Sequence, residues 1–220
     1  MNLDFTIIIP SKLGFFLEGA LVSIQLTALA VLIGIVIGVI MGMGKLSRNP
    51  VINAVCSAYV EIIRGTPMLV QIMIIYSGLP QLLGFNIPKY VAAVASLGIN
   101  SGGYVAEIVR GGILAVDKGQ MEAAKSLGMS YFQAMRYIIL PQAFKKMIPP
   151  LGNEFITLLK NSSLLMAIGM SELTRRAQIV ASVTYRPFEP YLTIAAIYLI
   201  MTTIFSKVLG YIEWRLRASD

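Results

Sequence analysis

Long apolar stretches alternate with short polar stretches along this chain of 220 residues. The clearest apolar stretch runs from Ala20 to Met43 and contains no charged residue. A helix of about 20 apolar residues crosses a bilayer, so we predict an all-α integral membrane protein with five transmembrane helices. The remaining polar segments are too short for a soluble domain, so residues 1–220 form one predicted transmembrane domain. The predicted spans cover residues 20–43, 52–81, 90–116, 151–170 and 191–214.

The composition supports a membrane protein and argues against several other classes. Hydrophobic residues make up 56% of the chain and charged residues 13%, whereas soluble domains carry about 25% charge. The net charge of +7 does not indicate nucleic acid, because the basic residues are scattered through short loops. The chain has no His and only one Cys, Cys56. We therefore expect no metal site, no catalytic residue and no enzymatic activity in this chain.

The distribution of basic residues predicts the orientation of the chain. With the N-terminus outside, the inside segments carry nine of these basic residues and the outside segments five, as the positive-inside rule requires. We therefore predict an external N-terminus and a cytoplasmic C-terminus. The nine inside residues are Lys45, Arg48, Lys118, Lys125, Arg136, Lys145, Lys146, Arg215 and Arg217.

Two predicted spans contain residues that weaken a helix. Residues 65–67, Gly-Thr-Pro, interrupt the second span, and Pro67 frees a backbone carbonyl four residues earlier. Residues 100–103, Asn-Ser-Gly-Gly, are expected to loosen the third span at a similar depth. Such interruptions are tolerated where they line a cavity; close helix packing is the alternative. Close packing is the preferred interpretation for three glycines of the first span, Gly34, Gly38 and Gly42.

Charged residues inside the predicted spans indicate either ion pairs or a polar cavity, because an isolated charge is costly in a membrane. The spacing of Glu61 and Arg64, and of Glu107 and Arg110, places each pair on one helix face. We therefore predict that each pair forms a salt bridge. The charged residues in the predicted spans that we single out are Glu61, Arg64, Glu107, Arg110, Glu154 and Lys160.

Glu154 differs from the other acidic residues because no basic residue lies three or four positions away. An unpaired carboxylate in a span needs water or a cation. One candidate cation is the side chain of an arginine or lysine substrate, with Asn153 beside it. The alternative is a salt bridge across helices to Arg110 or Arg64. The sequence leaves both interpretations open.

The polar stretch 117–141 predicts two short helices joined by a sharp bend. Asp117 with Gln120 has the spacing of a helix N-cap box. The first helix should end at Leu127, with Gly128 in the left-handed conformation that stops helices.

Ser130 with Gln133 forms a second cap box, which opens a helix predicted to end near Pro141. The two helices would present a rigid convex surface on the cytoplasmic side. Local rules alone favour the alternative, an ordinary interfacial helical hairpin.

A spaced set of residues in this loop resembles a known motif. Its pattern is similar to the "EAA" loop of permease subunits of bacterial ATP-binding-cassette importers. In that family the loop is the coupling helix that docks on the ATPase subunit. The matching residues are Glu122, Ala123, Ala124, Gly128, Ile138, Leu140 and Pro141.

Three further segments resemble the polar amino-acid permeases of that family, the histidine and glutamine permease type. Residues 61–67 are similar to their "RGTP" segment, residues 104–113 to their third-span signature, and residues 153–160 to their fourth-span entry. The resemblance extends over about residues 14–214. It implies an importer of basic or polar amino acids that works by alternating access.

The resemblance also implies partners. They are two ATPase subunits that hold ATP and Mg²⁺, an extracytoplasmic amino-acid-binding protein, and a second permease subunit. A homodimer is favoured and a heterodimer is possible. This chain lacks a phosphate-binding loop motif, so no cofactor is expected in it, and the location implied is the bacterial inner membrane.

The candidate residues fall into two groups. An ion-coupled secondary amino-acid transporter remains the alternative function, since broken helices and buried carboxylates fit it too. The predicted substrate-binding residues are Glu154, Asn153, Asn100, Tyr104, Thr66, Pro67 and Met68. The predicted ATPase-coupling residues are Glu122, Ala123, Ala124, Lys125, Ser126, Leu127, Gly128 and Met129.

Overall fold

The computed structural model describes Phe5 and residues 9–217, and within that part of the chain every regular element is a helix. Ten α-helices are joined by two π-helical segments, Ile74–Gly78 and Met135–Ile139, and by the 3₁₀ segment Ser162–Ile168. The α-helices are α1 Ile9–Lys45, α2 Pro50–Gly65, α3 Met68–Met73, α4 Leu79–Leu83, α5 Lys89–Leu114, α6 Lys118–Ser126, α7 Tyr131–Ala134, α8 Leu140–Asn161, α9 Leu173–Thr184 and α10 Phe188–Arg217.

Helix length and apolar composition identify fewer spans than we predicted. Within the described residues, Ser11–Lys45 and Phe188–Leu216 are each long and apolar enough to cross a membrane. A third candidate is the bent pair Pro50–Gly65 and Met68–Leu83. Five spans therefore stay a prediction.

The α1–α5 pair forms the centre of the bundle, and glycines allow its close approach. A Cβ atom at Gly34 would lie 2.7 Å from the Ser101 side chain, and one at Gly42 would lie 2.6 Å from the Ala106 carbonyl. A Cβ at Gly38 would collide with Val105. The predicted packing role of these glycines is confirmed, because no larger side chain fits at this helix contact.

The break after Gly65 turns the chain sharply. The axes of α2 and the following helical stretch differ by 105°. Thr66 is extended, and Pro67 caps α3 with φ −63° and ψ 135°. The predicted interruption of the second span is thus confirmed, and it is a change of direction between two helices.

The predicted loosening of the third span at residues 100–103 is wrong. Helix α5 continues without a break from Lys89 to Leu114. Gly102 and Gly103 instead face neighbouring helices, since Cβ atoms there would lie 2.7 Å from Ile37 and from Ile63 respectively. Tight packing on both sides holds the helix regular.

The predicted bend within residues 117–141 is present. The Asp117 side chain accepts a hydrogen bond from the Gly119 amide at 2.7 Å. Gly128 has φ +81°, and the Met129 amide donates to the Ala124 carbonyl at 3.1 Å, as in a Schellman stop. The reciprocal cap of Ser130 and Gln133 is complete. We refer to residues 117–134 as the knuckle.

The second helix of this region does not end near Pro141. The chain continues through the π segment into α8, which extends to Asn161 with Pro149 and Pro150 inside it. Pro141 lies in the first turn of α8, where the widened π turn precedes it and a missing amide proton does little harm. The helix that contains the start of the predicted fourth span, 151–170, thus begins at Leu140, and residues 162–168 of that span are 3₁₀ rather than α-helix.

The last two helices close the bundle at the end opposite the knuckle. A core cluster joins the start of α1 to α9 and α10. Glu172, fully buried, caps α9 by accepting the amide protons of Thr174 and Arg175 at 2.8 and 2.7 Å. The Tyr198 hydroxyl donates to the same carboxylate at 3.3 Å.

Candidate functional site

Glu107 on α5 is the centre of an ionic cluster near the Lys45 end of α1. Its carboxylate lies 2.6 Å from the Lys45 ammonium and 2.9 Å from the Arg110 guanidinium. Arg64 approaches to 4.0 Å and lies over the Tyr104 ring. The predicted pairing with Arg110 is confirmed, and it is reinforced by a contact across helices to Lys45.

The predicted pairing of Glu61 with Arg64 is wrong. Glu61 is exposed and, among the described residues, has no basic group within 4.0 Å, whereas Arg64 turns toward α5. The sequence missed Lys45 as the strongest partner of Glu107. The two residues are 62 positions apart, so no local spacing rule could have found the contact.

A hydrogen-bond network closes the break between α2 and α3. The Gln71 side-chain amide donates to the carbonyl of Ile63 at 2.7 Å and to the Thr66 hydroxyl at 2.8 Å. Asn100 in turn donates to the Gln71 side-chain oxygen at 3.0 Å. Ile63 is the residue whose carbonyl Pro67 frees, so the network satisfies that carbonyl inside the protein.

Glu154 on α8 has surroundings quite unlike those of Glu107. It is 8% exposed, and no cation of the described chain lies within 4.0 Å of it. The Ser101 hydroxyl on α5 lies beside it, without an aligned hydrogen bond. The alternative salt bridges to Arg110 or Arg64 are absent, because both arginines contact the Glu107 cluster instead.

The other predicted substrate residues divide between surface and interior. Asn153 points away from its buried neighbour Glu154. Met68 packs in an apolar core cluster with Ile72 and Leu158, so in this chain it serves packing. Four of the predicted residues are exposed on this single chain: Thr66, Pro67, Tyr104 and Asn153.

Gln71 was missed by the sequence analysis. It joins two predicted residues, Asn100 and Thr66, into one network. A signal for it existed, since a polar residue four positions after a helix-breaking proline can fold back on the carbonyl that the proline frees.

The knuckle presents mostly exposed residues. Ala124 is buried against the bundle and Met129 is half-buried. Leu127, at the rigid turn, is 83% exposed. The exposed predicted coupling residues are Glu122, Ala123, Lys125, Ser126, Leu127 and Gly128.

Comparison with known proteins supports the sequence resemblance. The chain is 40% identical over 220 residues to the arginine transport system permease protein ArtQ of Bacillus subtilis, covering all of both chains. It is 39% identical to the glutamine transport system permease protein GlnP of Escherichia coli, covering 99% of each.

Solved structures have the same fold. A chain of the structure described as an amino acid ABC transporter with histidines superposes with a TM-score of 0.93 at 52% identity, over 98% of this chain and 100% of that chain. An inward-facing structure of the MetNI methionine ABC transporter has a TM-score of 0.78 over 94% of this chain and 98% of that chain. At 20% identity, that second likeness concerns the fold alone.

The family comparison covers most of the chain. Residues 34–218 match the family described as the binding-protein-dependent transport system inner membrane component. The chain therefore belongs to this family of membrane components of ABC transport systems.

Proposed function

We propose that this chain is the membrane-spanning permease subunit of an ATP-driven importer that moves basic or polar amino acids across the bacterial inner membrane. The observation that carries the proposal is its full-length similarity to the permeases named for arginine and glutamine transport. The family match favours this function over an ion-coupled secondary transporter.

Glu154 gives the proposal a substrate class. A buried carboxylate with no cation of its own favours a ligand that brings one. The side chain of arginine or lysine, or protonated histidine, supplies that charge. A neutral or acidic side chain leaves the carboxylate unpaired, so we propose that Glu154 selects basic amino acids.

The break between α2 and α3 supports a site for the zwitterionic part of the substrate. Thr66 and Pro67 are exposed at the bend, and Tyr104 on α5 is 39% exposed. A helix break offers backbone amides that a regular helix does not, whereas the Ile63 and Thr66 carbonyls here are already bound by Gln71. We propose that these residues and Asn153 line the path, with Asn100 holding the bend through Gln71.

The exposed polar surface around the bend argues for a second permease subunit. Arg64, Thr66 and Asn153 are exposed on the single chain, and lipid is an unfavourable neighbour for such groups. A second copy facing this surface would enclose a polar path between the two subunits. A homodimer is the simpler arrangement, and a heterodimer with a related chain would serve equally.

The knuckle is the proposed contact with the ATPase subunits. Its Schellman stop and complete cap make it rigid, and its exposed apolar residue Leu127 suits insertion into a groove. Closure of the ATPases on Mg²⁺ and ATP would move the knuckle and open the path toward the external binding protein. We propose with it that the N-terminus lies outside, that the C-terminus lies in the cytoplasm and that five spans cross the membrane.

The experiment measures binding of arginine, lysine, histidine, glutamine and glutamate to the purified permease–ATPase complex in detergent. We expect wild type to bind the basic amino acids best. Glu154→Gln should weaken their binding by about 100-fold, because a desolvated charge-assisted hydrogen bond is lost.

Glu61→Gln is the matched control, since it removes the same charge from an exposed position and should leave binding unchanged. Best binding of glutamine or glutamate by wild type would contradict the substrate class. Equal binding by wild type and Glu154→Gln would contradict the role of Glu154 while leaving the transport function in place.

A further inference from the structure

A cavity of about 640 Å³ lies between the end of α1 and the knuckle, away from the proposed substrate path. The last turn of α1 and the turn that follows it form one wall. Helix α6, the start of α7 and the π segment form the other. The lining residues are Met43, Leu46, Ser47, Arg48, Lys125, Tyr131 and Met135.

Two cationic side chains line the cavity. Arg48 and Lys125 come from separate segments of the chain and are both exposed. Within the described residues, neither has a carboxylate within 4.0 Å, although the Glu107 cluster nearby is fully paired. Two like charges at one cavity without a counter-ion attract an anion.

The hydroxyl groups of the cavity add hydrogen-bonding capacity. Ser47 accepts the Asn49 amide proton at 3.2 Å, which leaves its own proton free to be donated. Tyr131 is 58% exposed, and its hydroxyl has no hydrogen-bond partner among the described residues. Guanidinium, ammonium and hydroxyl donors together suit the oxygens of a phosphate group.

Apolar side chains also line the cavity. Met43 belongs to the uncharged run of α1 and is 39% exposed, and the other two are Leu46 and Met135. Cations beside flexible apolar side chains, at the point where an uncharged span ends, match the boundary between lipid headgroups and acyl chains.

We propose that this cavity binds the headgroup of an anionic phospholipid. Arg48 and Lys125 hold the phosphate, and the first acyl carbons lie along Met43, Leu46 and Met135. The lipid would thus bridge the α1–α2 turn and the knuckle. A soluble phosphate would not contact the apolar lining residues favourably, so we favour a lipid as the ligand.

The exposed tip of the knuckle leaves room for this assignment. Leu127, the residue proposed to meet the ATPase, does not line the cavity. Lys125 lies four positions after the half-buried Met121, on the flank of α6 that turns toward the bundle. The lipid and the ATPase would therefore contact different residues of the knuckle.

The test is native mass spectrometry of the purified permease–ATPase complex, titrated with dioleoyl phosphatidylglycerol and, separately, dioleoyl phosphatidylcholine. We expect wild type to retain phosphatidylglycerol preferentially. The double variant Arg48→Gln with Lys125→Gln should bind it about 25-fold more weakly, about fivefold for each charge removed near a membrane surface.

The control is Arg136→Gln with Arg215→Gln, which removes the same two charges from exposed positions outside both the cavity and the knuckle. It should keep wild-type lipid binding. Equal loss in both double variants would overturn the proposal, because general surface charge would then explain the binding.

Two further results would also overturn it. Displacement of the lipid by glycerol phosphate at equal concentration would assign the cavity to a soluble anion. Retention of lipid by the isolated permease but not by the complex would assign the cavity to an acidic side chain of the ATPase. Retention in both, with loss in the cavity variant alone, supports the lipid site.

Discussion

Glu107 and Glu154 both lie within the helical bundle, one on α5 and one on α8, and the groups around their carboxylates differ. Glu107 has two cations within 2.9 Å and a third at 4.0 Å. Glu154 is more deeply buried. Among the described residues no cation lies within 4.0 Å of its carboxylate, and the Ser101 hydroxyl beside it is not aligned for a hydrogen bond. The same type of side chain thus has its charge compensated by neighbouring cations in one region and not in the other.

The difference separates structure from function. A carboxylate already surrounded by cations has no capacity left for a ligand, and removing it leaves those cations uncompensated. A buried carboxylate without a cation contributes little to folding and persists where a ligand completes it. Predictions about these residues should therefore differ in sign as well as in size.

The largest effect is expected at the complete cluster. Glu107→Gln leaves Lys45 and Arg110 facing a neutral group, so we expect the free energy of unfolding to fall by about 3 kcal/mol. Thermal unfolding of the purified complex in detergent measures the effect.

Glu61→Gln is the control for that experiment, since Glu61 is exposed and outside the cluster. An unchanged midpoint for Glu107→Gln would remove one side of the comparison, because the cluster would then contribute nothing to stability.

Glu172 offers an intermediate case outside the predicted spans. It is fully buried and forms no salt bridge with another described residue, but two backbone amides and the Tyr198 hydroxyl bind its carboxylate. Burial is the main cause that raises its pKa from 4.5 to about 7. Its protonated form is therefore favoured in the folded state.

The sign of the pH dependence follows from that shift. A raised pKa in the folded state stabilises the protein fully below the unfolded pKa of 4.5, and this stabilisation is lost as pH rises through about 7. Between about pH 5 and about pH 8 we expect a loss of about 2 kcal/mol in wild type. Thermal unfolding across that range should be flatter for Glu172→Gln.

Glu18→Gln is the control for the pH experiment, because Glu18 is 69% exposed and paired with Arg176. It should keep the wild-type slope. The same flattening in Glu18→Gln would show that the slope comes from general surface charge and has no connection with the cap of α9.

The features that could be predicted from the sequence are those that depend on residues within about one helix turn of each other. The glycine spacing of α1, the stop at Gly128 and the cap at Ser130 each follow from a few neighbouring residues. The freed carbonyl before the break also followed from Pro67 alone. Local chemistry was sufficient in all of these cases.

The features that the sequence analysis missed depend on where distant segments meet. Lys45 reaches Glu107 only because Gly38 and Gly42 bring α1 against α5. Gln71 can bind the Ile63 carbonyl only because the chain turns by 105° between them. Arg64 was assigned to Glu61 by spacing, whereas the packed fold gives it Glu107 and Tyr104.

The smallest stability effect is expected at Glu154, and it decides the comparison. Glu154→Gln keeps the size of the side chain and removes a charge that no cation compensates. We expect the free energy of unfolding without substrate to rise or to change by less than about 1 kcal/mol. The same thermal unfolding measurement, with and without arginine, separates the two roles.

Arginine should raise the unfolding midpoint of wild type and leave that of Glu154→Gln unmoved, because only a bound ligand adds stability by mass action. Glu107→Gln should start lower and still respond to arginine, since Glu107 itself is not among the residues proposed to line the substrate path. A large loss of stability in Glu154→Gln without substrate would mean that the carboxylate has a partner within the fold. Glu154 would then belong with Glu107 as a structural residue, and the selection of basic amino acids would have to reside in other residues of the path or in the external binding protein.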